Sequence, residues 1–554
     1  MLDAHPRVGA LIACRLPILA LLTAFLCLSL ALRYRTVNAD AAVFGLMGDD
    51  LLRHGYLPTL PYGQLYLLSI TPYIFALVRW IMPHVLSPVV PFVIAGVLLS
   101  GTGLWLLYES LLSAQRSRGR PALLAGLLFC ALVAASPGYI FDISENSSIE
   151  ISLLLMGVVM FAGSRIEEVQ REGGATRAGA WFALGAGTAY AYCARPAIVP
   201  YGACLALLLL AGAWKRGDRR DWGVALLALA TGLLAGCLPM LLHEWLRAPV
   251  WPFSYTVHPH VGSGAQVRWS LNVLFTGILP RTFMVGDDAP VYRVVKLFWV
   301  AVALAGAGVA MVRRPRSVSA LDWTWVAASL LLLAIVALSP QLSASSQNRR
   351  YCEHIFLGVA WLFCRFCLPT RGWRRLAPAG LVAALALFAV VLWPRWFERE
   401  RQQNENVRYA AEVVVPELMR AGGPIFADYW DAYLLAFLSD QQLPIEAFPW
   451  QLVRTYGRLS EETVQRKAFW LVRSGYGHAT WNVLEADFGA DAMSRLQRIN
   501  LESKLWGRAC ELWHWDDGAY AVALMKKHHP FYFSTIYPPG SRANAAAVPR
   551  VGHG

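Results

Sequence analysis

Apolar runs close to the length of a bilayer crossing recur through most of this sequence, separated by short charged loops. An α-helix of about 20 apolar residues spans the hydrocarbon core once, so the pattern reads as an α-helical polytopic membrane protein. Of the 554 residues, 56% are hydrophobic and 15% charged, against about a quarter charged in an average soluble domain. A net charge of +13 would point to nucleic acid in a soluble protein. Here the arginines cluster in loops between apolar runs, the orienting pattern of membrane proteins, so no nucleic-acid partner is expected.

The basic loops are Arg116–Arg120, Arg165–Arg177, Lys215–Arg220, Arg313–Arg316 and Arg371–Arg375. The positive-inside bias places them all in the cytoplasm, and the segments between them must cross in pairs. Spans are expected near 10–31, 89–112, 121–138, 149–164, 179–194, 197–214, 223–243, 293–312, 321–338, 353–368 and 377–394. That is about eleven crossings, with the N-terminus cytoplasmic and the C-terminus outside. The apolar stretch Leu65–Met82 would add another and reverse every later loop. It holds Arg79, Pro72 and several aromatics and ends at Pro83-His84, so it reads as a juxtamembrane or re-entrant helix on the outer side. Arg33 and Arg35 then fall on the outer side, against the charge bias. Most cysteines lie inside apolar segments and behave as small hydrophobes; Cys352 and Cys510 look loop-borne or soluble, and no disulfide framework is expected. Leu11–Leu32 is long enough to span and shows no small-residue cleavage site.

The membrane part covers 1–394, with outer loops at 33–88, 137–148, 244–292 and 340–353. After Trp393 the composition turns charged and aromatic-rich, without a span. Residues 395–535 are expected to form an extracytoplasmic α/β domain, followed by a disordered Pro/Gly/Ala/Ser-rich tail, 536–554. Within that domain Pro424–Tyr429, Ala468–Arg473 and Tyr520–Met525 read as strands, and Asn482–Ile499 has helical spacing.

The outer loops hold the residues that could do chemistry. Asp40 lies a few residues beyond the first span, within reach of a lipid head group, where a carboxylate can take a proton from a nucleophile. The plain alternative is a solvated loop acid. Asp49 and Asp50 follow on an expected helix, Ala42–Arg53, and read as solvated helix surface. Asp142 and Glu145 are one helical turn apart on the same side, and Glu150 sits at the mouth of the next span. Such acids bind a divalent cation, orient an acceptor or hold a sugar hydroxyl, unless they are simply solvated. Arg349 and Arg350, followed by Tyr351, oppose the charge bias and call for an anionic partner. A lipid phosphate suits the arginine fork, and an ion pair with Glu353 is the structural alternative. Arg195, between two spans on the outer side, is a further anion-binding candidate. Arg281 and the pair His258 and His260 in the long fourth loop are weaker signals. The sequence has no Gly-rich phosphate loop of the nucleotide type, no HExxH and no GxSxG, so no nucleotide cofactor is expected.

Taken together, these pieces resemble the GT-C-type glycosyltransferases, the polytopic class that includes protein mannosyltransferases and lipid A aminoarabinose transferases. Asp40, just past the first span, resembles that class's acid in the first external loop. The run Gly45-Leu46-Met47 through Gly55 to Tyr62-Gly63-Gln64-Leu65-Tyr66 is similar to bacterial members, and Arg350-Tyr351 resembles their Arg-Tyr motif. Many members carry two adjacent acids in the first loop; here Ala41 follows Asp40. The appended domain, with Asp428-Tyr429-Trp430-Asp431, is similar to those of such enzymes. The resemblance implies an inverting transfer of a sugar from a polyprenyl-phosphate donor to a lipid, glycan or protein acceptor at the outer face of a bacterial inner membrane. It implies Asp40 as general base, Arg350 and Arg195 at the departing lipid phosphate, and Tyr62, Gln64 and Tyr66 along the groove for sugar or lipid. A lipid or glycan transporter or flippase, and an inactive scaffold of a polysaccharide assembly complex, are the competing readings. Few mid-span ionisable residues and a large external domain weigh against transport.

Overall fold

The computed structural model describes residues 5–55, 68–85, 87–115, 147–174, 177–216, 219–245, 262–275, 318–340, 352–366, 397–448, 461–473 and 488–528, with short pieces between 125 and 133, between 304 and 315, and at 484–485. The membrane part contains α1 (His5–Ala31), α2 (Ala39–His54), α3 (Thr71–Ile81), α4 (Val89–Ala114), α5 (Ser147–Glu172), α6 (Ala178–Ala194), α7 (Val199–Lys215), α8 (Arg219–Trp245), α9 (Gly264–Val273), α10 (Ala320–Leu338) and α11 (Glu353–Phe366). Among the described residues, four helices are long and apolar enough to cross a membrane: Val89–Ala114, Pro196–Lys215, Asp221–Leu242 and Ala320–Leu338. The expected spans 10–31, 149–164, 179–194 and 353–368 fall on α1, α5, α6 and α11. Those at 121–138, 293–312 and 377–394 lie wholly or largely outside the described residues, as does the tail 536–554.

Small residues let the helices close on one another. A Cβ on Gly185 of α6 would meet the Leu229 carbonyl, and one on Gly232 of α8 the Phe182 carbonyl. The α6 and α8 backbones therefore touch, as membrane helices do where side chains are missing. Three basic loops gather at one end of the bundle. Glu167 of α5 accepts from the Ala320 N–H at the start of α10 (3.1 Å) and pairs with Arg171 (2.6 Å). Gln170 donates to the Leu209 carbonyl of α7, and Arg216 donates back to the Gln170 carbonyl.

The stretch Leu65–Met82 resolves into α3, 11 residues long. At 1.5 Å per residue it reaches about 16 Å, roughly half a hydrocarbon core. It packs beside α2: Phe75 and Val78 of α3 share one core with Ala41 to Met47 of α2.

Beyond the membrane part, a helical stretch 397–421 with a π-turn at Ala410–Val414 leads into a five-stranded sheet. Its strands are β1 (Ile425–Ala427), β2 (Ile445–Ala447), β3 (Phe469–Arg473), β4 (Gln497–Leu505) and β5 (Arg508–His514). The order is β2-β1-β3-β5-β4, parallel where β1 meets β2 and β3 and antiparallel where β5 meets β3 and β4. Helix α12 (Tyr429–Leu438) follows β1, and α13 (Glu461–Lys467), the short α14 (Ala490–Met493) and α15 (Gly518–His528) complete the domain. Strand alternation divides the side chains between two cores. Phe426 and Trp470 stack (4.8 Å) in a core with Val464, Phe488, Trp515 and Met525. Ile425, Ala427, Phe469 and Leu471 face the other way, into a core shared with α12, α2, α3 and α4. Phe437 of α12 meets Phe75 and Phe92 edge-on at 6.0 and 5.6 Å, and those two meet each other at 5.7 Å.

Two expectations for this domain are corrected. Tyr520–Met525, read as a strand, lies in α15. The Asp517 carboxylate accepts from the Ala519 N–H (2.9 Å) and so caps a helix where alternation alone suggested a strand. Asn482–Ile499, read as helical, is helical at the described residues 484, 485 and 488 and again in α14 after Gly489 (φ 85), but β4 begins at Gln497. The β4–β5 hairpin turns at Trp506 (φ 56) and Gly507 (φ 73), both left-handed as a tight two-residue turn demands. Cys352 and Cys510, expected in loop or soluble surroundings, are both buried.

Gly45 is where α2 and α12 approach most closely, since a Cβ there would enter the Phe437 ring. Gly45→Ala is therefore expected to cost about 1–3 kcal/mol, because Phe75 and Phe92 hem that ring in. Thermal unfolding of Gly45→Ala, Phe437→Ala and the double variant tests it: the double variant should lose less than the sum of the singles.

Candidate functional site

The site begins at the cap of α2. Asn38 takes extended backbone and its side chain accepts from the Ala41 N–H at 2.9 Å, starting the helix shortly after α1. Asp40 thus falls in the first helical turn, where the helix dipole favours a carboxylate. From Ala41 to Asp50 every residue of α2 is buried, while Asp40 itself is half-buried. A rigid, enclosed helix carries the candidate acid at its accessible end.

Facing it is the start of α12. Asp428 caps that helix by accepting from the Trp430 N–H (3.1 Å). Asp431 is gripped by Arg473 of β3 (2.6 Å) and by the Trp506 indole N–H (3.1 Å). Burial pushes the Asp431 carboxyl up to about 6 against the pull of Arg473. Between these anchors the Tyr429 hydroxyl donates to Asp40 Oδ1 at 3.3 Å. Tyr429 is the functional neighbour that sequence reasoning missed: 389 positions separate it from Asp40.

Asp49 and Asp50, expected on a solvated surface, are 1% and 0% exposed. The difference has a simple cause: the C-terminal domain covers that face of α2. Asp49 pairs with Arg79 of α3 (3.0 Å), and Arg79 also binds Asp440 (2.6 Å) in the turn after α12. Arg53 reaches the same Asp440 carboxylate (2.7 Å), and Gln441 donates to Asp50 (3.5 Å). Burial pushes Asp49 up to about 7 even though Arg79 opposes the rise, and the charge of Asp440 adds to it.

Arg195 is buried at the end of α6. Its charge acts on His354, which lies in the first turn of α11, four positions after Arg350. Tyr201 completes this corner, edge-on to His354 (6.0 Å) and hydrogen-bonded to Ser329 of α10 (3.0 Å). The Leu68 N–H donates to the Cys193 carbonyl (3.0 Å), so the returning end of the first loop is tied two residues from Arg195. Arg349, Arg350 and Tyr351 lie outside the described residues, as do Tyr62, Gln64, Tyr66, Asp142, Glu145, His258, His260 and Arg281. Glu150 is on α5, its side chain outside the described set. Among the described residues no group of three His, Cys, Asp or Glu side chains is placed to hold a metal ion.

These features describe a mostly helical protein, with four described helices long and apolar enough to cross a membrane, whose C-terminal α/β domain docks on α2 next to Asp40. No family model matches the sequence, and no curated protein matches it. Among solved structures the chain is similar to ArnT from Cupriavidus metallidurans bound to undecaprenyl phosphate, at 12% identity and a TM-score of 0.51, covering 88% of this chain and 97% of that one. The likeness gives this chain the fold of that protein, and the GT-C-like architecture expected from the sequence agrees with it.

The raised Asp49 carboxyl has a signed consequence for stability. Between about pH 4, the unfolded carboxylate range, and about 7 the folded protein holds a proton that the unfolded chain has lost. The stabilisation is full below that window and is lost as pH rises through the folded value. Asn at this position cannot titrate. The melting temperature of Asp49→Asn minus that of the wild type should therefore climb across the window and level off above it. A flat difference would show that Asp49 stays ionised throughout.

Proposed function

We propose that the protein is an inverting glycosyltransferase that moves a sugar from a polyprenyl-phosphate donor to a lipid, glycan or protein acceptor at the outer face of a bacterial inner membrane. The observation that carries the reading is the half-buried Asp40 carboxylate in the first turn of a helix buried from Ala41 to Asp50, at the seam with the C-terminal domain. The ArnT-like fold supports it, since the ArnT structure is one bound to undecaprenyl phosphate.

In this reading Asp40 takes the proton of the acceptor hydroxyl or amine as that atom bonds to the anomeric carbon. The bond from that carbon to the phosphate oxygen breaks on the opposite face, and its electron pair leaves with the lipid phosphate. Attack from the back face inverts the anomeric centre. Arg195, with Arg350 close by in sequence to the His354 corner, steadies the departing charge; preorganised donors of this kind contribute about 3–4 kcal/mol each. Arg349 and Tyr351 belong to the same phosphate-binding stretch. Tyr62, Gln64 and Tyr66 are the first-loop candidates for contact with sugar or lipid, and Asp142, Glu145 and Glu150 are candidates for holding acceptor, sugar or a divalent cation. The basic loops gathered at one end of the bundle fit a cytoplasmic face there, with the α/β domain outside.

Asp40→Asn keeps size and capping while removing the base, so transfer should fall by about 100- to 10,000-fold with the melting temperature nearly unchanged. The measurement is release of radiolabelled sugar from undecaprenyl-phosphate donors by the full chain in detergent. Wild-type turnover by Asp40→Asn would sink the proposal. Absence of turnover by the wild type with every donor tried would favour a transporter or a scaffold.

A further inference from the structure

We infer that Tyr429 is a positioning residue for Asp40, and hence that the C-terminal α/β domain completes the transfer site rather than only standing above it. The inference rests on the reading of Asp40 as the base.

Four observations converge on the phenol. Its oxygen is 3.3 Å from Asp40 Oδ1, the donor side of a bond to a carboxylate. That length is beyond the usual O–H···O range, and catalytic hydrogen bonds of this kind are often long until substrate binds. The backbone that carries Tyr429 is fixed from both sides, by the Asp428 cap and by the Asp431 clamp to Arg473 and Trp506. The ring is buried and held edge-on by Tyr433 (4.9 Å) and Trp430 (5.3 Å), which sets the direction of its hydroxyl. Finally, α12 cannot drift from α2, because Phe437 occupies the space left by Gly45 and Asp440 binds both Arg53 and Arg79. A hydroxyl placed this way holds Oδ1 and so sets the direction of the Asp40 carboxylate. A carboxylate oriented by a fixed partner attacks its proton from one direction, and misplacement by about an ångström costs on the order of 100-fold.

The structural alternative is that Tyr429 merely packs the seam. Phenylalanine separates the two, since it keeps the ring and removes only the hydroxyl. The experiment uses the full chain in detergent with undecaprenyl-phosphate donors radiolabelled in the sugar, and it counts label leaving the lipid, whether to water or to an added acceptor. Tyr429→Phe should lower kcat by about 10- to 100-fold, with donor KM within about twofold and the melting temperature unchanged. Should the Phe variant fail to fold, 3,5-difluorotyrosine at position 429 preserves the packing while making the phenol more acidic. Activity should then fall at mildly alkaline pH as the phenol ionises and ceases to donate, a limb that the wild type lacks there. A kcat for Tyr429→Phe equal to wild type, or a difluorotyrosine enzyme with a wild-type pH profile, overturns the inference. Asp40→Asn runs beside it: if that variant is dead while Tyr429→Phe is normal, only the role of Tyr429 fails. If Asp40→Asn turns over normally, the reading of Asp40 fails and takes this inference with it.

Discussion

The rest of the structure depends on one shared core. Apolar side chains of α2, α3 and α4 pack against α12 and one face of the sheet in one shared core. The domain beyond the membrane is therefore not a tethered module with an interface of its own. Inter-domain contacts that are small and polar permit relative motion, whereas a continuous apolar core does not. The mutual packing of Phe75, Phe92 and Phe437, with Gly45 beneath, is the tightest part of that seam. A carboxylate at the start of α2 consequently has a fixed relation to the domain above it, and a geometric argument about Tyr429 becomes possible.

Charge at the seam follows the same logic. Arg35 and Arg79 are cations at the end of the molecule that the basic loops avoid, and each is spoken for. Arg35 is buried against Glu400, and the Tyr34 N–H beside it donates to Asn404 (3.0 Å). Arg79 bridges Asp49 and Asp440. Removing one member of a buried pair strands its partner, which costs more than the pair itself contributes. Such pairs therefore act as register marks: α2, α3 and the helical stretch 397–421 meet the sheet in one arrangement. Of the arginines that ran against the orienting bias in the sequence, Arg35 is one that holds the C-terminal part in place.

What could be read from the sequence was local. Apolar runs gave the helices, and Arg79 and Pro72 within an otherwise apolar stretch mark where the short α3 falls. Asp40 stood out because it follows a span directly. β1 and β3 were legible as compact apolar runs between turn residues. The failures were of two kinds. In α15 and at β4, period alone was weighed, although the Asp517 cap and the Trp506-Gly507 turn were the stronger local signals. At Asp49 and Asp50 the reading assumed that a polar flank on a short helix meets water. What it meets is Arg79 and a turn 391 positions away from Asp50, and no local pattern encodes that.

Catalytic acids on loops gain reach and lose definition; those on helices gain definition only if the helix is itself held. Helix α2 meets that condition in an unusual way. From Ala41 to Asp50 it is buried between the helices of the membrane part and the C-terminal domain, yet its first turn stays open enough for Asp40 to be half-buried. Asn38 and Asp428 cap two helices whose first turns meet at this carboxylate. The partial positive charge at the N-terminus of α2 favours an anion in its first turn. With Asp40 on one helix and the hydroxyl that touches it on the other, the two halves of the chain must be docked for the arrangement to exist. Loss of docking would disperse it without altering either half, so the integrity of the shared core and the competence of the acid are the same physical condition.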